Sequence, residues 1–258
     1  LYWYTASALD AVPYARAVND SMAQVVREAP DRLRAFAYLP LQDPAASVAE
    51  LERCMVDDAF VGAVVGTNVR GQDWDAPELE PILAAAAALG ALVFIHPTRV
   101  RGTEFLNRYH LRNLIGNPLE TTMAFATLSL SGALDRHPDL RLLLAHGGGF
   151  AAAGVGRFDH GAQVREENRG RSLRLPSDHL RNVHVDCLTH SEAMLRFLVE
   201  TVGSDRIVIG TDYPADMGLS DPIGWLEGMS WLSESDRAAI VEDNASVLLD
   251  GKTVGSHV

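Results

Sequence analysis

Short apolar runs alternate along this chain with longer stretches in which apolar residues recur every three or four positions. The runs at 33–41, 61–67, 92–96, 141–146, 183–188 and 207–211 are rich in aliphatic residues and carry little internal polarity. Such runs read as strands buried on both faces. Between them the helical period predicts helices over 10–29, 45–57, 77–89, 118–134, 151–163, 191–202 and 233–249. The punctuation agrees with these elements. Pro30 stops the first helix, Asp43-Pro44 opens the second, Gly90 closes the third, and Ser233 is placed to cap the last with Asp236 three residues on.

Repeated strand–helix units of this kind build a parallel sheet covered on both faces. A doubly wound sheet and a closed barrel both fit. The barrel is favoured because polar residues recur at the ends of several different strands, where parallel α/β barrels keep their chemistry. No GxGxxG turn marks a dinucleotide site. The expected fold class is therefore α/β, a TIM-like (β/α)8 barrel. Six strands are visible where such a barrel has eight, so the expectation is a barrel lacking its first two strands, which would precede Leu1. No repeat, low-complexity tract or linker divides the chain, and residues 1–258 are expected to form a single domain, incomplete at its N-terminal side.

Length and composition narrow the picture further. The chain has 258 residues, enough for one large core, and a formal net charge of -12. That acidity argues against nucleic acid and against anionic membranes as partners. The longest apolar run, Ile82–Ile95, is too short for a membrane span and is interrupted by Gly90. Cys54 in a helical stretch and Cys187 near a strand end form no CxxC pair and no disulfide framework. Reduced core thiols in a cytoplasmic protein are expected.

Three strands end in a side chain able to hold, or work beside, a metal. VFIHP stops at His96, LLLAHGGG at His146 and IVIGTDYP at Asp212. Each signal alone is weak, since a lone strand-end histidine is more often a hydrogen-bonded structural residue. On one barrel face, two imidazoles and a carboxylate are the ligand chemistry of zinc or a similar divalent ion. Three glycines after His146 allow close backbone approach there. The remaining histidines are weaker candidates. His184 and His190 flank one strand and read as a structural residue and a loop residue. His137, in DRHPDL, reads as an exposed loop residue, and His160 and His179 have similar, weaker claims.

Longer motifs carry a resemblance. PDRLRAFAYLPLQDP, ELERCM, LGALVFIHP, GNPLETT, HPDLRLLLAHGGG, GRFDHG, DRIVIGTDYP and the late helix with Asn244-Ala245 span almost the whole chain. In that order they resemble the metal-dependent amidohydrolase superfamily, in its amidohydrolase-related branch, and within it the aminocarboxymuconate-semialdehyde decarboxylase group. The resemblance implies that His96 and Asp212 are metal ligands and that His146, with Asp212, manages protons near the metal. It implies that Arg157, in VGRFDHG, helps to bind a substrate carboxylate, in some relatives across a dimer interface. His110 stands where close relatives often carry an aromatic residue. The family's HxH pair from the first strand has no counterpart, because none of the nine histidines forms an HxH and the first is His96.

The expectation is thus a metal-dependent lyase, a decarboxylase of a small unsaturated or aromatic carboxylate. Its divalent metal would be zinc, with manganese as the alternative, and it would act as a homodimer without nucleic acid or membrane. A hydrolase or hydratase on the same site, acting on a lactone, amide or unsaturated acid, is one alternative. A non-catalytic scaffold is another.

Overall fold

The computed structural model describes residues 2–250, so the domain expected over 1–258 extends beyond the described residues at both ends. Six parallel strands pair strictly in chain order: β1 (Ala35–Tyr38), β2 (Phe60–Gly66), β3 (Leu92–His96), β4 (Arg141–Leu144), β5 (His184–Asp186) and β6 (Ile207–Val208). Helices α1 (Ala8–Glu28), α2 (Pro44–Met55), α3 (Glu80–Ala88), α4 (Asn117–Leu130) and α5 (Ala133–Arg136) precede or link the first four strands. Helices α6 (Ala151–Val164), α7 (Pro176–Leu180), α8 (Glu192–Val202), α9 (Pro222–Glu227), α10 (Glu234–Ala238) and α11 (Asn244–Asp250) follow.

The two faces of the sheet are buried differently. Ala37, Ala63, Val65, Val93, Ile95, Leu142, Leu144 and Val185 are buried within the main core. The alternate residues Phe36, Val64, Phe94 and His96 are only half-buried. Register lines up Val64, Phe94, Leu143 and His184 across four strands of this second face. A smaller cluster of Leu92, Leu143, Val208 and Leu248, with Phe36 and Phe94 against it, fills part of it.

β1 and β6 are the edges of the sheet as described, and each is met by a buried asparagine. Alternate residues of a parallel strand hydrogen-bond to opposite sides. Ala35 N–H donates to Ala59 O, so Tyr38 turns its backbone groups to the outer edge. There the Asn19 Oδ1 accepts from Tyr38 N at 2.8 Å and the Asn19 Nδ2 donates to Tyr38 O at 2.9 Å. Asn19 lies on the buried face of α1, in line with Ala11, Ala15 and Ala23, and also donates to Glu50. At the other edge, Asn244 Nδ2 donates to Ile207 O at 2.7 Å and to Ser204 O at 2.8 Å. Both amides satisfy edge groups that would otherwise be buried unpaired.

Several sequence expectations need correction. The helix expected over 118–134 ends at Leu130, because Gly132 takes a left-handed conformation (φ 76) before α5 begins. It also starts with a wide π turn over Arg112–Gly116. The closing helix expected over 233–249 is broken by a second π turn, Ala239–Asp243, although Ser233 caps its start through Asp236 N–H as expected. The last strand, expected over 207–211, keeps only Ile207 and Val208 in the ladder. His137 is not an exposed loop residue, since its Nε2 lies 2.8 Å from Glu80 Oε1 and its side chain is only 14% exposed. His179 is buried between Ser129 and Asp135 and is structural.

Asn19→Leu keeps the branched outline and heavy-atom count but strands both Tyr38 backbone groups, and is expected to lower the unfolding free energy by about 2–4 kcal/mol in urea titrations. A loss under about 0.5 kcal/mol would show that water reaches this edge and that the amide is dispensable.

Candidate active site

β3, β4 and β6 deliver His96, His146 and Asp212 to the same end of the sheet. One ligand atom from each lies within 4.8 Å of the others. His96 Nε2 is 3.3 Å from Asp212 Oδ1, and His146 Nε2 is 3.7 Å from Asp212 Oδ2. The two imidazole rings are 5.0 Å apart, centre to centre. All three side chains are mostly sheltered, at 27%, 15% and 22% exposure for His96, His146 and Asp212. Ligands about 2.0–2.2 Å from a tetrahedral ion stand roughly 3.3–3.6 Å from one another, so this spacing and this N,N,O donor set suit a divalent ion.

The backbone is strained where the chemistry emerges. His146 and Asp212 both have positive φ, at 58° and 52°, as has the nearby His190 at 53°. Such conformations are uncommon outside glycine, though asparagine, aspartate and histidine tolerate them best, and they cluster at functional sites. Gly147, Gly148 and Gly149 continue the left-handed path. A Cβ on Gly149 would sit 2.1 Å from Pro118 O, so α4 can pack against this turn only if the position is bare.

One buried carboxylate holds the turn. Asp186, at the end of β5, accepts from His146 N–H at 2.9 Å, Gly147 N–H at 2.8 Å and Leu188 N–H at 3.0 Å. Gly210 makes room for it, since a Cβ there would lie 2.7 Å from Asp186 Cβ. Sequence reasoning missed Asp186. The signal was present in VHVD, an apolar run ending in a carboxylate like the one that singled out Asp212.

The charges divide the three site residues. Burial draws His96 below the usual imidazole value, with help from His146 beside it. Burial also opposes the charge on His146, but the Asp212 carboxylate 3.7 Å away and the Asp186 carboxylate outweigh it and raise this imidazole. The nearby His146, with His96, keeps Asp212 below the usual carboxylate range against the opposing effect of burial. Before any cation binds, His146 is thus the natural proton holder and Asp212 its anionic partner. His146 Nδ1 is buried with no hydrogen-bond partner among the described residues.

Beside His146 and Asp212 opens a cavity of about 370 Å³. Leu114, Pro118, Phe150, Leu188, Met194, Phe197 and Met217 wall it, and Asn113, Asn117, Thr189 and His190 add polar atoms. The π turn before α4 carries Asn113 and Leu114 to this cavity. Its last residue, Gly116, packs so closely on Val100 that a Cβ would clash at 2.4 Å. Pocket residues His190, Asn113 and Asn117 were not singled out as site residues from sequence. The glutamate of GNPLETT, Glu120, turns away from the cavity. It pairs with Arg101 at 2.9 Å and accepts from Asn68, tying the loops after β2 and β3 to α4. Arg157 is not brought to the cluster. It lies on the exposed side of α6, outside the cavity lining, with no carboxylate within 4.0 Å among the described residues. His110 and His160 are exposed.

Comparison with known proteins is consistent with this geometry. A family model described as Amidohydrolase matches residues 6–250. A 2-amino-3-carboxymuconate-6-semialdehyde decarboxylase of Dictyostelium discoideum is 35% identical, over 95% of this chain and 68% of that protein. A gamma-resorcylate decarboxylase of Rhodococcus jostii is 32% identical, over 92% of this chain and 77% of that protein. Among solved structures, a dihydroxybenzoic acid decarboxylase from a Polaromonas species, with bound manganese and 2-nitroresorcinol, aligns with a TM-score of 0.84 at 28% identity. The alignment covers 92% of this chain and 75% of that one. A 5-carboxyvanillate decarboxylase from Sphingomonas paucimobilis aligns with a TM-score of 0.87 at 26% identity, over 95% and 75%. These neighbours bear out the barrel-type α/β fold expected from the strand–helix alternation.

Asp186→Ala is expected to destabilise the protein by about 2–4 kcal/mol by leaving backbone N–H groups unpaired, and to weaken Mn2+ binding in calorimetric titrations. Unchanged Mn2+ affinity in a folded variant would show that the turn keeps its shape without the carboxylate. Because a cation must displace any proton from the His96 imidazole, which burial holds below the ordinary value of 6.5, Mn2+ affinity is expected to hold as the pH is lowered to 6.5 and to fall only below it.

Proposed function

The chain belongs to the amidohydrolase family, and we propose that it is a divalent-metal-dependent decarboxylase, a carbon–carbon lyase acting on a small aromatic or unsaturated carboxylate. The observation that carries this reading is the cluster of His96, His146 and Asp212, with His146 and Asp212 opening onto an apolar-walled cavity, in a chain whose relatives are decarboxylases.

His96 and Asp212 are the residues that would hold the ion. A bound divalent ion supplies positive charge against an oxygen of the substrate. The donor set suits zinc and manganese alike, and manganese is the ion bound in the Polaromonas relative. Metal-ligating histidines ordinarily anchor their second nitrogen on a carboxylate or carbonyl. Neither His146 Nδ1 nor His96 Nδ1 has such an anchor among the described residues, and it is the imidazole raised by Asp212 and Asp186 that favours proton transfer for His146.

The chain's own residues then have distinct tasks. Phe150, Leu188, Phe197 and Met217 offer an apolar wall for a ring or a conjugated chain, and a substrate against it would shed water from its departing carboxylate. His146, kept protonated by Asp212, delivers a proton to the carbon that loses carbon dioxide. Asp212 stabilises the charged imidazole between turnovers. Asn113, Asn117, Thr189 and His190 can accept or donate to ring hydroxyls or a second carboxylate.

Arg157 reaches a carboxylate only if it serves another copy's cavity, and this supports a homodimer in which the arginine crosses the interface. A single domain in a reducing, cytoplasmic setting fits the two buried free cysteines. Burial pushes Cys54 up to about 12 and Cys187 up to about 11, so both are unreactive thiols near neutrality. No helix of the described residues is long and apolar enough to cross a membrane.

The test is carbon dioxide release from a panel of hydroxybenzoates and unsaturated acids by the Mn2+- and Zn2+-loaded protein. His146→Asn is expected to lower kcat by about 100-fold or more while leaving bound metal near the wild-type ratio. Asp212→Asn is expected to lose both metal and activity. As His146 acts in its protonated form, the rate is expected to fall on an alkaline limb where this imidazole loses its proton. Ring opening or hydration without carbon dioxide release would overturn the decarboxylase reading in favour of a hydrolase or hydratase. No turnover with full metal occupancy would favour a scaffold.

A further inference from the structure

At the other end of the strands, away from His96 and Asp212, a second cavity of about 940 Å³ lies between the sheet and α11. Arg141 is the first residue of β4, His184 the first of β5, and Arg206 stands immediately before β6, so three neighbouring strands each bring a basic side chain to this cavity.

These groups have little counter-charge, which comes from the exposed Asp205 beside Arg206 and near His184. No carboxylate among the described residues lies within 4.0 Å of Arg141 or His184. Arg206 meets only its neighbour Asp205, at 3.3 Å, whose side chain is 68% exposed. The other basic residues of the lining are already paired: His137 with Glu80, and Arg174 and His179 with Asp135. Asp139 is the lining's one carboxylate among the described residues. The Arg141 guanidinium is fixed in place, donating from Nη1 to Gly90 O at 2.9 Å and from Nη2 to Leu248 O. Two of its five N–H groups are thereby used, and three remain.

Half-buried cations without an anion are held at a cost. Burial, with Arg206 and Arg141 close by, pushes His184 down to about 4, and burial also lowers Arg141. At neutral pH the imidazole is therefore uncharged, able to donate one N–H between two guanidinium groups. Beyond the basic patch the cavity is apolar, with Leu140, Val183, Val247 and Leu248 in its wall.

We propose that this cavity is a binding site, separate from the metal-binding end, for a small organic anion with a phosphate or carboxylate head and an apolar body. The head sits among Arg141, His184 and Arg206, where planar guanidinium donors match its oxygens. The body lies against Leu140, Val183 and Leu248.

The test is calorimetric titration of the protein with hexyl phosphate, hexanoate and, as the uncharged control, hexanol. Saturable binding of one or both anions and none of hexanol is expected, and the better anion identifies the head group. Arg206→Gln and His184→Gln are each expected to weaken anion binding by about tenfold. Both leave the Arg141 bonds to Gly90 and Leu248 in place. His146→Asn is expected to bind as the wild type does. No saturable binding of either anion, equal binding of hexanol, or affinity that survives both substitutions would overturn the proposal. So would loss of binding in His146→Asn, which would place the anion at the metal-binding end.

Discussion

The chemistry depends on one buried carboxylate that accepts hydrogen bonds from backbone rather than from substrate. Without Asp186, the N–H groups of His146, Gly147 and Leu188 would end in an apolar interior with no acceptor. With it, the chain can leave β4 along a left-handed path, present an imidazole at the first step and pass beneath α4. The same carboxylate adds negative potential behind His146. Geometry and charge at the imidazole thus share a single cause. The glycines around it follow from that cause, since Gly147, Gly149 and Gly210 stand where a Cβ would meet α4, the next strand's loop or Asp186 itself.

A division of labour runs along the sheet. The helix-covered face is aliphatic and tightly buried, and supplies most of the core. The other face is half-buried, and the two cavities lie at opposite ends of the strands. Parallel strands make this polarity unavoidable. Every strand begins at one end and finishes at the other, so basic residues at strand starts gather as surely as His96 and Asp212 do at strand ends. The two edge asparagines solve a related problem, giving β1 and β6 hydrogen-bond partners from side chains where no strand among the described residues supplies them.

Much of this was legible in the sequence. Buried parallel strands write themselves as uninterrupted apolar runs, so all six were found, and the runs ending in His96, His146 and Asp212 gave the site. What stayed hidden has a common physical character. His137 and His179 were misjudged because their partners, Glu80 and Asp135, are distant in sequence and nothing local announces an ion pair. The π turns before α4 and α11 escaped because one extra residue in a turn barely disturbs the apolar period. Asn19 gave no signal within the helical stretch 10–29, and only the edge of β1 explains why it is buried. Arg157 was singled out only by resemblance, and it lies on the exposed side of α6, outside the cavity lining.

The positive φ angles at His146 and Asp212 bear on how such a protein changes over generations. Glycine or asparagine at either position would relax the backbone while removing the functional group, so a mutation that erases the chemistry need not be exposed by misfolding. Selection for persistence of the fold and selection for the reaction pull in opposite directions at these two residues. A lineage released from the need for catalysis would be expected to lose the imidazole and the carboxylate early and to keep Asp186 and the edge asparagines late. Decay would start at the centre of the function and reach the architecture last.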